Sequence, residues 1–578
     1  MDEPVSGMLS PTKWQPGLSV LVCYALLLRC MVSLWPYSGQ GDEPMYGDYE
    51  AQRHWMELTN ALPLHQWYRF DLDYWGLDYP PLTAYASWVC GQLSRIAEPA
   101  SMSLGLSRGY ETPSHKAFMR LTVLLLDLAI FFPAAAALTS RLIRAARRRT
   151  SEVIGRRWDP AATRTLAMVL LQPSLVLVDH GHFQYNSVCL GLAVAAAAAV
   201  ASGKRRGAEL FGSVLFALSL NFKQMALYYA PAFFFYLLAS CLWGAAGGKP
   251  SGARPRQRTA SSLTPAVVRL AGVVRRVLGL GLVVLFTFGV LWAPFCFSAS
   301  DSDGSGCLSS LAQVGVRLFP FSRGLFEDKV ANLWFCLDVV FKLRRRLAVP
   351  QLAKLALAST LSFLAPVGME LLRPGRPLTA RRLVLALFNS SMAFFLCSFQ
   401  ARLIQRVHEK SLLLPLCPLA FLWGDAPLFT TWLQVIGVFS MKPLLGREGL
   451  LIPCFACTML YVGCSWALTS SSGTRAGPAS ASSSFPYGRH LTQGHLRAMV
   501  VVSLGGSALL LALEAALAPP ENLPYLHPTL NALYSCANLT VAYGIGVYWQ
   551  WQEGDFDGRG GDGGAQERRR QVEAKKTR

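Results

Sequence analysis

Of 578 residues, 52% are hydrophobic and only 15% carry a charge, where an ordinary globular chain has about 25%. With a mean hydropathy of +0.32, that shortage of charge excludes most soluble folds. The net charge of +20 does not point to nucleic acid either. Lys and Arg collect in short loops between apolar runs, as membrane topology requires, rather than in a basic patch interleaved with aromatics.

Residues 1–16 read as a cytosolic N-terminus and Gly17–Trp35 as a retained first span, since its end lacks the small residues of a signal-peptide cleavage site. Residues 37–116 then hold ten acidic and five basic side chains. Beyond the next run, Ala117–Thr139, the loop Arg141–Arg157 holds seven Arg and one Glu. The positive-inside rule places that loop in the cytosol and loop 37–116 across the membrane. Leu166–Val178 and Ser187–Val200 are joined by Asp179–Asn186, and Glu209–Leu220 and Met225–Leu242 by Asn221–Gln224. Basic returns lie at Lys204–Arg206 and Lys249–Arg276. Leu278–Pro294 crosses again, so that loop 295–346 lies on the same side as 37–116. Further runs at 350–372, 383–400, 411–424, 427–441, 449–469, 498–518 and 530–551 bring the total to about fourteen (12–14) helical spans of an all-α polytopic membrane protein. An even count returns the C-terminus to the cytosol.

Two places strain this scheme. Lys342–Arg346 falls on the non-cytosolic side, against the charge rule, unless 331–343 is a further span. Stretch 411–441 reads either as two short helices or as one broken helix. The chain divides into a transmembrane module 17–346 with loops 37–116 and 295–346, a C-terminal transmembrane module 347–552, and a Gly- and charge-rich cytosolic tail, 553–578, expected to be disordered. Lys249–Gln257 and the Ser/Gly-rich Thr469–Ser484 read as flexible loops. Cys454-Phe455-Ala456-Cys457 lies inside an apolar run with no second ligand pair, so its thiols read as small apolar fillers. Cys90 and Cys307 fall in or near loops, where pairing is open to them. The glycosylation patterns at Asn389 and Asn538 sit inside apolar runs and are taken as chance matches.

A loop that only connects two spans does not need the density of Asp, Trp, Tyr and Pro found in 37–116. Gly47-Asp48-Tyr49-Glu50-Ala51-Gln52-Arg53-His54-Trp55 is followed by Tyr74-Trp75-Gly76-Leu77-Asp78-Tyr79-Pro80-Pro81. If Tyr49–Asn60 is helical, Asp48, Gln52 and Trp55 share a face with Arg53 beside them. A carboxylate there, flanked by Arg and aromatics, suits removal of a proton from a sugar hydroxyl. An interfacial aromatic belt with Asp48 as a helix cap accounts for the same residues, and both readings stand. The other turns on that side are also polar: Asp179–Asn186 with His180, His182, Gln184 and Asn186; Lys223-Gln224; Arg317–Asn332 with Arg323, Glu327, Asp328 and Lys329; and His408-Glu409-Lys410. Clustered cations of this kind suit a phosphate leaving group, although each alone also suits snorkelling.

These segments together resemble the eukaryotic dolichyl-phosphate-glucose glucosyltransferases of glycosyltransferase family 57, over roughly residues 15–440. The motifs are most similar to those of members that add the first α-1,3-glucose to the nine-mannose oligosaccharide on dolichyl pyrophosphate, rather than to those adding the second. The resemblance implies a GT-C fold in the endoplasmic-reticulum membrane with a lumenal active site. It implies a dolichyl phosphate glucose donor, a lipid-linked acceptor, no metal or other cofactor, and inversion by single displacement. Asp48 matches the family's base, with Asp78 the second candidate. Glu50, Gln52, Arg53, His54, Trp55, Tyr74, Trp75, Tyr79 and the polar residues of the other turns are then substrate-binding, and His408, Lys223 and Arg323 contact the departing phosphate. Six residues, Ala401–Arg406, intervene before Val407-His408 where the family pattern runs directly on, which weakens the match at His408. Of two Asp-x-Asp triplets, Asp71–Asp73 and Asp301–Asp303, neither is required by a donor without a diphosphate. Lys575-Lys576 resembles a di-lysine retrieval signal. A transporter, predicting mid-span charges and repeat symmetry, and a membrane scaffold are the readings from other classes.

Overall fold

The computed structural model describes residues 17–149, 159–202, 206–243, 265–297, 306–319, 329–397, 408–470 and 492–576, with side chains except at 148–149, 265–266 and beyond 553. No strand occurs among these residues. The helices are α1 (Leu18–Ser33), α2 (Gly47–Ala61), α3 (Pro81–Ala97), α4 (Pro113–Arg147), α5 (Pro160–Phe183), α6 (Asn186–Val200), α7 (Arg206–Phe222), α8 (Gln224–Trp243) and α9 (Val267–Phe297). They continue as α10 (Cys307–Leu318), α11 (Leu333–Phe341), α12 (Val349–Leu372), α13 (Ala380–Cys397), α14 (Leu413–Ala420), α15 (Pro427–Arg447), α16 (Leu451–Ser470), α17 (Gln493–Ala516) and α18 (Leu526–Lys576).

Nine of the described helices are long and apolar enough to cross a membrane: α4, α5, α8, α9, α12, α13, α15, α16 and α17. The higher expected count also took in α1 and α6, which are apolar but shorter, and the runs now in α7, α14 and α18. Stretch 411–441 resolves into two helices, α14 and α15, separated by a turn over residues 421–425. Residues 331–343 hold only the nine-residue α11, too short to supply the extra span that Lys342–Arg346 called for. Helix α13 lies at the centre, with 89% of its apolar window buried, against 11% in α9 and 22% in α17. Leu282, Leu285 and Phe286 on α9 and Val501 and Val502 on α17 point outward, an apolar surface suited to hydrocarbon.

Two local departures from α-geometry shape the polar end of the bundle. Wide turns interrupt α4 at Asp127–Phe131 and end α5 at Val176–Phe183. Such π-bulges re-aim side chains and are frequent at functional sites. Loop 37–116 is pinned over this end. Ser38 N–H donates to the His182 carbonyl at 3.0 Å and the Thr83 hydroxyl donates to the Phe222 carbonyl, while Arg120 Nη2 ties α4 to the Gly181 carbonyl of α5 at 2.7 Å. Pro80-Pro81 starts α3, where proline's missing N–H is not needed.

Cys307 pairs with Cys296, at the end of α9, while Cys90 is a buried free thiol. Cys454 and Cys457 are buried free thiols. Asn389 is fully buried and bonded to Gln550 at 2.8 Å, and Asn538 bonds Ser503 at 2.6 Å, consistent with chance glycosylation matches. The expectations for 249–257, 301–303 and the 401–406 insertion lie outside the described residues, as does most of Thr469–Ser484; the tail 554–576, expected to be disordered, continues the backbone of α18 to Lys576.

Candidate active site

Asp48 owes its position to a tight crossing of the chain on itself. Gly39 (φ +73°) and Gly47 (φ +66°) lie back to back: a Cβ on Gly39 would stand 2.2 Å from Tyr46 C, and one on Gly47 2.6 Å from the Ser38 carbonyl oxygen. Only glycine tolerates both the left-handed backbone and this approach. The crossing starts α2 directly below Ser38, whose hydroxyl accepts the Asp48 N–H at 3.3 Å. Asp48 then projects from the first turn of α2, where the helix dipole favours a carboxylate.

Three donors from two distant elements converge on one oxygen, Asp48 Oδ2. His182 Nε2 lies 2.8 Å away and Gln184 Nε2 2.6 Å away, and the Lys410 ammonium also donates to it. Lys410 Nζ is also 3.3 Å from His182 Nε2. On its other side, His182 Nδ1 is 2.6 and 2.8 Å from the two oxygens of Glu448. The Asp48 side chain remains 22% exposed, against 3% for His182. Burial acts to raise the Asp48 carboxyl's pKa, but the Lys410 charge and the His182 bond outweigh it and hold the group well below the usual carboxylate range. Asp48 is therefore ionised at neutral pH, and Oδ1 is the oxygen that the three donors leave unoccupied.

A second cation stands behind Gln184. Lys223 Nζ donates to Gln184 Oε1 at 3.1 Å and to Asn186 Oδ1 at 2.7 Å, and lies 4.8 Å from the centroid of the Tyr79 ring. Burial, reinforced by the Lys410 charge, pushes the Lys223 amine down to about 8. Asn186 in turn donates to Asp179 at 2.8 Å. His180 does not join Asp48; it is fully buried against Asp127 at 3.1 Å, and Asp127 also takes Arg29 Nε at 2.5 Å. This charged layer inside α1, α4 and α5 was not read from the sequence, which placed polar groups only at helix ends.

Several expected substrate contacts are occupied internally. Arg53 is fully buried between Glu50 and Glu57, and Tyr74 donates to Glu50 at 3.0 Å. His54 bonds Glu57 at 3.1 Å. Trp55 Nε1 donates to the Trp75 carbonyl at 2.9 Å, and Trp75 Nε1 to the Met45 carbonyl at 2.5 Å. Asp71 of the first Asp-x-Asp triplet pairs with Arg108 at 2.6 Å. Gln52 is buried one turn beyond Asp48, on the same helix face. Asp78 accepts Gln224 through its backbone carbonyl at 3.0 Å. His408 precedes the short helix Glu409–Leu412 and its N–H bonds Ser411 at 3.2 Å, so that Lys410, two residues on, is the member of this turn at Asp48. Arg447 approaches Glu409 at 4.0 Å, and Lys329 lies over the Tyr525 ring at 3.4 Å. Arg323, Glu327 and Asp328 are outside the described residues. Glu448 was missed; a single acid after a span gives no periodic or motif signal.

An ionised carboxylate beside two lysines and a histidine, at the polar end of a membrane bundle, can accept a proton while nearby cations take up anionic charge. The chain is also similar to known proteins over most of its length. The chain is 41% identical over 447 residues to a probable dolichyl pyrophosphate Man9GlcNAc2 alpha-1,3-glucosyltransferase of Dictyostelium discoideum, covering 77% of this chain and 76% of that one. It is 36% identical over 552 residues to the Gallus gallus protein named dolichyl pyrophosphate Man9GlcNAc2 alpha-1,3-glucosyltransferase, covering 93% and 97%. With the Saccharomyces cerevisiae protein of that name it shares 40% identity over 445 residues, covering 76% and 72%. Residues 25–545 match a single family throughout, and the chain is a member of it: the ALG6, ALG8 glycosyltransferase family.

Proposed function

We propose that this chain transfers glucose from dolichyl phosphate glucose to the terminal mannose of Man9GlcNAc2-diphosphodolichol, in α-1,3 linkage with inversion, at the endoplasmic-reticulum membrane. The observation that carries the reading is the convergence of Lys410, His182 and Gln184 on one oxygen of Asp48. The names of the relatives supply the acceptor and the linkage. The charge asymmetry between loops 37–116 and 141–157 supports a lumenal site with both termini cytosolic. The carboxylate in the first turn of α2 makes Asp48 the base in preference to Asp78.

Single displacement then runs as follows. Asp48 takes the proton of the mannose 3-hydroxyl as that oxygen bonds to glucose C1. The C1–O bond to phosphate breaks, and its electron pair stays on the departing dolichyl phosphate. The donor phosphodiester carries one negative charge and the departing monoester two, while Asp48 passes from one negative charge to none. Lys410 and His182 thus lose their carboxylate partner at the moment a new negative charge appears on phosphate, with Lys223 behind them. In this reading the side-chain cations balance the phosphate, and no metal is required.

The test is transfer by the purified protein in detergent, with dolichyl phosphate glucose and a nine-mannose lipid-linked acceptor, with and without EDTA. A product one glucose larger that survives EDTA supports the reading. Activity only on an acceptor already bearing one glucose would assign the second glucosylation step instead. No product from folded protein would remove the assignment.

A further inference from the structure

The least expected polar group at the site is Glu448. It ends α15, where the helix dipole disfavours a carboxylate, yet it is held firmly there. Leu450 N–H donates to the Leu445 carbonyl at 2.9 Å and Gly449 N–H to the Gly446 carbonyl at 3.2 Å. Gly449 takes φ +70°, a helix-ending turn that needs a left-handed residue at that position. The turn aims the Glu448 carboxylate, 9% exposed, at His182 Nδ1.

His182 is 3% exposed and faces a carboxylate from each ring nitrogen: Asp48 at 2.8 Å from Nε2, Glu448 at 2.6 Å from Nδ1. Ionised carboxylate oxygens only accept hydrogen bonds, so both ring nitrogens must donate. The ring is then an imidazolium between two anions. The charged groups facing it are Asp48 from α2, Lys410 from the turn before α14 and Glu448 after α15. Arg120 of α4 binds the neighbouring Gly181 carbonyl.

We infer that Glu448 is a positioning residue for the transfer reaction, fixing the His182 ring and its second proton so that Nε2–H is held on Asp48 Oδ2. Two consequences follow. Oδ1 is left to meet the acceptor hydroxyl, and His182 keeps its charge when Asp48 is neutralised, so the departing phosphate meets two cations rather than one. Glu448 does not touch substrate. This inference rests on the transferase reading above.

The test compares wild type, Glu448→Gln and Glu448→Asp in the same transfer assay across pH 6 to 9, with the detergent melting midpoint measured for each. Misplacing a reacting group by about an ångström costs about a hundredfold. Glu448→Gln is therefore expected to lower kcat by about that factor with both KM values nearly unchanged, and to move the alkaline fall of kcat/KM to lower pH as His182 loses its proton more readily. Glu448→Asp keeps the charge and is expected to restore the wild-type pH profile in part. A Glu448→Gln protein with wild-type kcat and pH profile overturns the inference, as does a loss confined to KM or to the melting midpoint. If Glu448→Gln does not fold, Glu448→Asp carries the test through kcat: its carboxylate is drawn back by one methylene, so a wild-type kcat counts against the role. Absence of transfer by wild type removes the underlying reading and is thereby distinguishable.

Discussion

Replacing Arg53 by Ala separates two meanings of one sequence motif. The guanidinium is fully buried and donates five hydrogen bonds of 2.6–2.7 Å: two to Glu50, one to Glu57, one to the Ser101 carbonyl and one to the Ser107 hydroxyl. Alanine leaves two carboxylates, at most 1% exposed, without that cation. Removing one partner of a buried pair costs about 3–5 kcal/mol, a large part of a typical total of about 5–15 kcal/mol. The expected result is a melting midpoint in detergent lower by about 5–10 °C. Arg53→Lys is expected to recover part of the loss, because an ammonium keeps the charge but not the fork that spans both acids. Burial raises the Glu57 pKa, but His54 and Arg53 outweigh it and hold the carboxyl below its ordinary value. A depressed carboxylate stabilises above its unfolded pKa and loses that contribution as pH falls through the folded value. The midpoint deficit of Arg53→Ala is therefore expected to be flat from about pH 6 to 8 and to shrink only in acid, below about pH 4.5. The assay is heating followed by size-exclusion recovery, with KM for donor and acceptor measured on the folded fraction. An unchanged midpoint together with a raised substrate KM would refute this reasoning and make Arg53 a substrate contact.

Asp48→Asn keeps the shape but cannot take a proton, and is expected to lower kcat by about 10²–10⁴. The donor KM should stay level or fall, since Lys410 and His182 lose an internal anion, and steady-state kinetics separate the two terms. Lys223, pushed down to about 8, loses its charge as pH rises through that value. If it holds phosphate, wild-type kcat/KM should fall above about pH 8, and Lys223→Arg should move that fall to higher pH among the molecules that fold. Non-reducing peptide mapping should link Cys296 to Cys307, and Cys90→Ser should leave that link intact.

The bundle was legible where physics is periodic. Runs long enough to cross hydrocarbon marked nearly all the long helices, and Gly424-Asp425-Ala426 marks where 411–441 breaks into two. Asp48 stood out in the sequence through the family resemblance, since on chemistry alone a helix cap accounted for it equally well. What was not legible is the division of labour inside one motif. Glu50, Arg53 and His54 adjoin Asp48 in sequence, yet on α2 they turn toward Glu57, Ser101 and Ser107, while Asp48 turns toward α5. Only the packing of the rest of loop 37–116 decides which face meets protein. Likewise, that Lys410 of the His408-Glu409-Lys410 turn meets Asp48 depends on the turn that carries it. Glu448 meets the cluster through an imidazole 266 residues away.

The span of that last contact bears on when the enzyme comes into being. Asp48 and Lys410 are 362 positions apart, and the anchor of His182 is supplied after α15. Chains emerge at about 5–20 residues per second, so Asp48 waits on the order of a minute for Lys410. Asp48 lacks Lys410 until the turn before α14 has emerged, and His182 lacks Glu448 until α15 has, so a chain ending before residue 448 holds only part of this charge cluster. The cluster is thus closed only by segments from the last third of the chain, long after the segment bearing Asp48 has emerged.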